Sequence, residues 1–566
     1  MGITQPLHRE AQQNPDKVAF VEGDTTVTFR EFRDRTALAA GVLRGLGVGT
    51  GDRVAILSLN SVRYLELLVG TVWTGGVVNP VNIRWSPAEI AYSLDDSGTQ
   101  LLFVDDVFAA MVPKLRELSR DLATVVHMGN GPSPDGTLAY QQLLATAEPV
   151  VDVGRTGDDL AGIFYTGGTT GFPKGVMLSH TNLLTSAYGG LVATAGLRAG
   201  DDAVSLHAAP LFHIAGVGTW LIASLLGMQQ VMLPFFEPKA VMEAIQERRA
   251  SEVFLVPTMV QMVLDHPDFE KYDLTSLRFL TYGASPISAA LLDRTRAALP
   301  GARLCQAYGQ TELSPLATLL MPADHEAGNA KRLRSAGRPL AHTEVVIVDA
   351  DDVECPRGAV GEIAARGAHV MLGYWNRPEE TAAALRGGWM HTGDLGFMDE
   401  DGYVTVVDRL KDMIVTGAEN VYSAEVENAI GAHPAVASCA VIGVPDARWG
   451  ERVHAVVVLH PGAVLTEDDV RTHTRGLIAG YKCPRSVEFV TELPLTAAGK
   501  VAKTVLREHA DDGGTGIAGP GGSAAAETAT ATTKTATATA TTAATATAAA
   551  AEDTRTSAQS TEEGAS

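Results

Sequence analysis

The chain has 566 residues, too many for one hydrophobic core, so it is expected to divide into two or more domains. Its 46% hydrophobic and 19% charged residues fit a globular chain of mixed α/β character, and a net charge of −22 without a basic stripe argues against nucleic-acid binding. Four scattered cysteines, Cys305, Cys355, Cys439 and Cys483, form no CxxC pair, which argues against a disulfide framework or a zinc site and for a reducing, cytoplasmic setting. An anionic nucleotide remains an acceptable ligand, because local donors and a metal ion decide its binding.

The start MGITQPLHRE lacks an apolar h-region and so does not read as a signal peptide. Pro6 stands where a myristoylation signal needs Ser or Thr. Thr28-Phe-Arg-Glu31 reads as a capping box opening a helix that buries Phe32, Leu43 and Leu46 and stops at Gly47. Residues 52–58 read as a strand, and 64–73 as an apolar helical run. The string Gly45-Leu-Gly-Val-Gly-Thr-Gly-Asp52 lies after a helix and before a strand, the reverse of a dinucleotide fingerprint, and reads as a helix stop with a turn. Ser86-Pro-Ala-Glu89 is a second capping box, with proline at the first helical position, and 101–104 is a buried strand. Strands alternating with helices predict a mostly parallel sheet.

Residues 203–236 contain no Asp, Glu, Lys or Arg, a length that would permit a membrane span. His207, Pro210, His213, Gln229 and Gln230 interrupt it, so it reads as a buried core helix beside an apolar pocket. Near residue 410 the character changes. A helix capped at Ser423, strands at 438–442 and 454–459, a helix at 467–477 and a strand at 486–490 suit a small α+β domain. The tail 511–566 is Gly/Ala/Thr/Ser-rich and almost without large apolar side chains, so it is expected to be disordered and without a catalytic role. The expected division is therefore 1–410, a large domain of layered, mostly parallel sheets with helices; 411–510, a small mobile α+β domain; and the tail.

The segment with most chemical content is Tyr165-Thr-Gly-Gly-Thr-Thr-Gly-Phe-Pro-Lys-Gly175, which follows a predicted strand and precedes a helix near His180. Its glycines let a backbone approach phosphate, Thr166, Thr169 and Thr170 add hydroxyls, and Lys174 adds a positive charge. It is not a Walker A loop, because Gly175 stands where Ser or Thr would hold magnesium. A flexible surface turn is the alternative reading of the loop alone.

The loop resembles that of the adenylate-forming superfamily, with Gly167 in place of the usual serine and one hydroxyl donor fewer. Other strings follow in that family's order: Pro210-Leu-Phe-His-Ile-Ala-Gly216, Tyr282-Gly-Ala-Ser-Pro286, Gln306-Ala-Tyr-Gly-Gln-Thr-Glu312, Gly373-Tyr-Trp-Asn376, Trp389-Met-His-Thr-Gly-Asp394, Asp408-Arg-Leu-Lys-Asp-Met-Ile-Val-Thr-Gly-Ala-Glu-Asn420 and Pro494-Leu-Thr-Ala-Ala-Gly-Lys500. Together they cover about residues 5–508.

The resemblance implies a site. Thr166, Gly167, Gly168, Thr169, Thr170, Gly171 and Lys174 would hold the triphosphate, and Gly283, Ala284, Gln306, Ala307, Tyr308 and Gly309 the nucleotide. Thr311 and Glu312 would act in catalysis, with Glu312 binding Mg2+; Asp394 and Arg409 would hold the ribose, and His213 would border the acyl pocket. Lys500 would stabilise charge on the carboxylate and α-phosphate. Lys411 would be the hinge of the small domain, and Gly417, Ala418 and Glu419 would line the path of coenzyme A, with Ala418 standing where the family often has glycine.

The implied activity is an ATP-dependent acyl-CoA ligase that converts an apolar carboxylic acid, a fatty acid first, to acyl-AMP and then acyl-CoA. The apolar stretch 212–228 suits such an acyl group. The alternatives are an aryl or other acid–CoA ligase, an adenylation enzyme loading a carrier protein's pantetheine, and a nucleotide-binding pseudoenzyme whose tail recruits partners. Intact Lys174, Glu312, Asp394 and Lys500 count against the last. The implied partners are a small-molecule acid, ATP and coenzyme A; transient membrane contact and self-association are both compatible with this reading.

Overall fold

The computed structural model describes residues 1–511 apart from 167–172, 199–201, 327–331, 417–418, 447 and 497–499. Helix starts follow local chemistry. Thr28 and Glu31 exchange capping bonds at the head of helix Phe29–Gly45, whose Phe32 and Leu43 are buried, with Leu46 just past its end packed against the same core. Ser86 and Glu89 do the same for helix Pro87–Ser97, which ends on left-handed Gly98. The glycine string at 45–52 is a turn, with Gly47 and Gly51 at positive φ.

Two large sheets carry most of the chain. The first has nine strands, and its central run, Arg303–Tyr308, Phe279–Gly283, Glu252–Leu255, Val204–His207 and Gln229–Met232, is parallel throughout. The second has eight strands, with Leu160–Thr166, Val77–Pro80, Arg53–Leu57, Leu101–Val104 and Thr124–His127 parallel in that spatial order. Both consist largely of strands buried on both faces, which explains the near-continuous apolar runs in the sequence. The charge-free stretch becomes the buried helix Ile214–Leu225 between strands Val204–His207 and Gln229–Met232. No helix among the described residues is long and apolar enough to cross a membrane.

The expectation of mostly parallel sheets is met by these two, and a third, smaller sheet beside them is of the other kind. Glu344–Val348, Gly361–Arg366, Met390–Met398 and Val404–Arg409 form a wholly antiparallel four-stranded sheet. The segment after the phosphate loop also departs from expectation. Lys174–Ser179 is a strand antiparallel to Leu160–Thr166, so the loop closes a hairpin instead of joining a strand to a helix. Helix His180–Arg198 follows directly.

Beyond residue 410 the small α+β unit appears as expected. Val436–Asp446 and Gly450–Leu459 form a long antiparallel pair, Ser486–Val490 adds in parallel, and helices Ser423–Gly431 and Glu467–Arg475 pack with them. Ser423 does not act as the N-cap: it is the first helical residue, and its hydroxyl donates to Asp408 at 3.1 Å. A last helix, Lys503–Asp511, has no counterpart in the sequence reading. The tail beyond it lies outside the described residues.

Several buried histidines lack adequate partners. Nε2 of His207 and both ring nitrogens of His369 make no hydrogen bond, and burial holds these rings at about 4 and about 3 respectively. Burial also holds His180 and His213 at about 4. An unfolded histidine takes up a proton near 6.5, whereas these folded ones do not, so stability present above that value is lost as pH falls. Glu66, raised by burial to about 7, acts in the opposite sense, as do Asp105 and Asp408, also raised by burial, while His325, His342 and His454, lowered by burial, add to the histidine side. The melting temperature is therefore expected to be lower at pH 5 than at pH 7.5 in thermal scans at fixed ionic strength. Equal values at the two pH values would contradict neutral burial of these rings.

Candidate active site

In open α/β sheets, ligands gather at the carboxyl ends of parallel strands. Gly283 and Ala307 are register partners at the ends of adjacent parallel strands. A Cβ on Gly283 would come within 2.2 Å of the Ala307 carbonyl oxygen, so the close approach needs glycine there. Ala284 follows in a left-handed conformation, φ 65°. After Tyr308, Gly309 lies against the Pro315 carbonyl, where a Cβ would sit 2.0 Å away. Residues Thr311–Leu313 then form a buried 3-10 turn that fixes Glu312.

The carboxylates here are held by tyrosine hydroxyls from other sheets. Tyr374 donates to Glu312 Oε1 at 2.8 Å, and Tyr308 donates to Asp394 Oδ2 at 2.8 Å. Asp394 lies on strand Met390–Met398 opposite Arg409 of the next strand, whose Nε is 3.3 Å from Oδ1. Arg409 is nearly half exposed, and an ion pair of that kind contributes about 0–1 kcal/mol. The buried carboxylate is therefore fixed mainly by its strand and by the Tyr308 hydroxyl.

Thr166 and Lys174 are register partners at the mouth of the hairpin. The Lys174 ammonium pairs with Glu380 and lies 5.2 Å from the centre of the Tyr374 ring. One tyrosine thus touches both the lysine and, through its hydroxyl, Glu312. Behind the hairpin, Tyr165 donates to Asp96 at 2.7 Å and meets Trp85 edge-on, ring centres 6.5 Å apart.

Lys500 reaches this place from the small C-terminal unit. Burial, with Arg409 and Lys411 nearby, pushes its ammonium down to about 8 against the opposing pull of Asp394 and Glu312. His213 caps helix Ile214–Leu225, its Nδ1 accepting from the Ala215 N–H at 3.3 Å. Burial first, and then Lys500, hold that ring at about 4, so it is neutral at pH 7. Lysine and histidine, both half-buried, are therefore near enough to feel each other's charge, and the lysine that of two carboxylates.

The structure thus brings together His213, Glu312, Asp394, Arg409 and Lys500, with Tyr308 and Lys174 at their edge. Gln306 and Thr311 lie in the same strand-and-turn segment. Gly167, Gly168, Thr169, Thr170, Gly171, Gly417 and Ala418 lie outside the described residues. Lys411 is an exposed turn residue between strands Val404–Arg409 and Ile414–Thr416, and Glu419 is exposed on strand Glu419–Val421. The partners Tyr374 and Glu380 were missed from sequence. Tyr374 stood in a quoted string, but nothing local tells that its hydroxyl meets a carboxylate 62 positions away.

The donor set suits magnesium in one particular way. Among the described residues no group of three or more His, Cys, Asp or Glu could hold a metal alone. A single buried carboxylate at Glu312 fits an ion that usually takes one or two protein carboxylates and completes its shell with phosphates and water.

Comparison with known proteins agrees with this geometry. Residues 7–375 match the AMP-binding enzyme family and residues 425–500 the AMP-binding enzyme C-terminal domain. A feruloyl-CoA synthase from Amycolatopsis sp. is 40% identical, covering 88% of this chain and 97% of its own. A fatty acid–[acyl-carrier-protein] ligase from Streptomyces coeruleorubidus is 36% identical over 90% of this chain and 96% of its own. The crystal structure of ATP-bound MatB from Rhodopseudomonas palustris superposes with a TM-score of 0.81 at 32% identity, covering 90% of this chain and 99% of that one. The chain belongs to the AMP-binding enzyme family and is an AMP-forming acid–thiol ligase, of the class that uses ATP, Mg2+ and coenzyme A.

Proposed function

We propose that this enzyme activates an apolar carboxylic acid as its adenylate and transfers the acyl group to coenzyme A. The observation that carries the reading is Lys500, a half-buried ammonium within the field of Glu312 and Asp394 and close to a neutral His213. In the first half-reaction a carboxylate oxygen attacks the α-phosphorus of ATP. The acyl–O–P bond forms, the bond to the β-phosphate oxygen breaks, and pyrophosphate leaves. Two anions must meet, so fixed positive charge and positioning supply most of the rate. Lys500 supplies that charge at the carboxylate and α-phosphate, and Lys174 with the 166–171 loop holds the β- and γ-phosphates. Asp394, helped by Arg409, accepts from the ribose hydroxyls; the strand ends at Gly283, Ala284, Gln306, Ala307, Tyr308 and Gly309 flank the base. Glu312, next to Thr311, holds Mg2+, which when bound neutralises phosphate charge. His213, uncharged, borders the acyl group without adding a cation. In the second half-reaction the thiol sulfur attacks the acyl carbon, AMP leaves, and the thiol proton passes to solvent.

The chain divides on this reading at 410/411. The unit 411–510 turns about Lys411, withdrawing Lys500 and bringing 417–419 to the thiol's path. The apolar helix Ile214–Leu225 behind His213 supports an apolar acyl group, for which a fatty acid is the first candidate. The feruloyl-CoA synthase at 40% identity favours an aryl acid as the second. The fatty acid–carrier-protein relative keeps a carrier's pantetheine open as the acceptor.

A panel of aliphatic and aryl acids, incubated with ATP and Mg2+ with and without coenzyme A, tests the reading. Pyrophosphate and acyl-CoA are expected with an apolar acid; AMP with no acyl-CoA for any acid would overturn the coenzyme A assignment. Lys500→Ala should lower adenylation at least a hundredfold (on the order of 3 kcal/mol) yet largely spare thioester formation from supplied acyl-AMP. Lys411→Pro should do the reverse by stiffening the hinge. Loss of the same half-reaction in both variants would refute the rotation. Because Lys500 loses its proton near 8 in the free enzyme, kcat/KM for pyrophosphate release without thiol should fall as pH rises through that value. In Lys500→Arg the falling limb should move to higher pH; an unmoved limb would assign it to another group.

A further inference from the structure

The turn that presents Lys500 is closed on itself. The Thr496 N–H donates to the Lys500 carbonyl at 2.6 Å, the Lys500 N–H donates to Thr496 Oγ1 at 3.1 Å, and Leu495 bridges Val501 across the base. Whatever holds Thr496 therefore holds Lys500. From the large N-terminal part, Arg84 Nη1 donates to the Thr496 carbonyl at 3.1 Å.

Arg84 is well placed for such a hold. Its own N–H is fixed by Asn82 Oδ1 at 3.0 Å, in the link between strand Val77–Pro80 and helix Pro87–Ser97. The next residue, Trp85, is buried and packs edge-on against Tyr165, the residue from which the phosphate hairpin opens. Tyr165 is held in turn by Asp96, in the helix that Pro87 begins. One short segment thus touches both the root of the triphosphate loop and the turn carrying the lysine.

We propose that Arg84 is a positioning residue for adenylation: by clasping the Thr496 carbonyl it sets the Lys500 turn in register with the phosphate hairpin. The inference rests on the reading of Lys500 as the adenylation lysine. On this proposal Arg84 acts through Lys500, by its bond to the Thr496 carbonyl. Misplacing a charged group by about 1 Å can cost on the order of a hundredfold in rate, so a single exposed hydrogen bond at this point matters more to rate than to stability. Since the clasp spans the large and small parts, it belongs to the arrangement in which Lys500 faces the site and has to open when the small part turns.

The test compares full-length Arg84→Ala, Arg84→Lys, Lys500→Ala and the double variant Arg84→Ala/Lys500→Ala in the separate half-reactions. Adenylation is read as pyrophosphate release with an accepted acid, and thioester formation from supplied acyl-AMP and coenzyme A. Arg84→Ala is expected to lower adenylation about ten- to a hundredfold while thioester formation stays within about twofold. Arg84→Lys should recover part of the loss. The double variant should adenylate no more slowly than Lys500→Ala alone, because the two residues act as one unit. Adenylation within about threefold of the parent in Arg84→Ala, or equal loss in both half-reactions, overturns the proposal. Should Arg84→Ala not fold, Arg84→Met, which keeps the aliphatic stem, is judged by the same criteria. If Lys500→Ala itself adenylates normally, it is the functional reading of Lys500 that fails; if Lys500→Ala is crippled and Arg84→Ala is not, only the clasp fails.

Discussion

On the proposed function, the rest of the site depends on one electrostatic constraint: a cation has to be held where two anions would meet. Enclosure alone would drive an ammonium to its neutral form. Lys500 escapes that outcome because Asp394 and Glu312 pull against burial and against Arg409, leaving it charged at neutral pH with its proton held to about 8. The displacement from an ordinary lysine corresponds to on the order of 3 kcal/mol of unfavourable environment. An arriving carboxylate and triphosphate would add negative charge beside Lys500 and favour its protonated form.

Two tyrosines meet a second requirement, that carboxylates stay fixed without being neutralised. An arginine bound tightly to Asp394 or Glu312 would cancel the charge that keeps Lys500 protonated. A hydroxyl donor orients the oxygen and leaves the charge in place. Tyr308 carries its hydroxyl from the nine-stranded sheet to Asp394 on the antiparallel sheet, and Tyr374 carries its own from the eight-stranded sheet to Glu312. Burial and those carboxylates raise both phenols well above their ordinary range, so they remain donors throughout the physiological range. The three sheets therefore meet through hydroxyl–carboxylate bonds, while the one arginine at Asp394 stays half in solvent, where its attraction is weak.

What could be read from the sequence was what short-range physics writes locally. The capping boxes at Thr28 and Ser86 and the buried strands Arg53–Leu57 and Leu101–Val104 are encoded within a few residues. His213, Glu312, Asp394, Arg409 and Lys500 each sit in a distinctive string, and in the structure the charges of Glu312, Asp394 and Arg409 act on Lys500 and that of Lys500 on His213. The hairpin strand Lys174–Ser179 was missed because it is short, begins beside the glycine-rich loop, and its burial does not alternate: Gly175, Val176, Leu178 and Ser179 are all buried. Ser423 had the side chain of an N-cap, but a buried carboxylate at Asp408 captured its hydroxyl instead. The antiparallel sheet was missed for a third reason: nothing within 344–409 states which strand pairs with which. Tertiary pairing decides that, and it also decides that Arg84 faces Thr496, more than 400 positions away.

Strength and reversibility have to be divided differently in the two parts of such a ligase. Beyond residue 410, the contacts near Lys411 are charged: Lys503 pairs with Glu427 at 2.7 Å and donates to Ser423 Oγ at 2.6 Å, while Arg507 holds Asp412 at 2.6 Å. These keep the unit rigid next to Lys411. Away from Lys411, the contacts between residues before and after 410 include single hydrogen bonds to backbone carbonyls, Arg84 to Thr496 and Gln261 to Ala437 at 3.3 Å. A hydrogen bond of that kind contributes about 1 kcal/mol net, and water replaces it when it opens. If the small part turns as proposed, an arrangement held by a few such bonds would lie within about a few kcal/mol of the turned one, a gap that a change of charge in the site could reverse. Rigid, charged packing inside the moving unit with sparse carbonyl contacts across it would let one lysine be delivered accurately and then withdrawn.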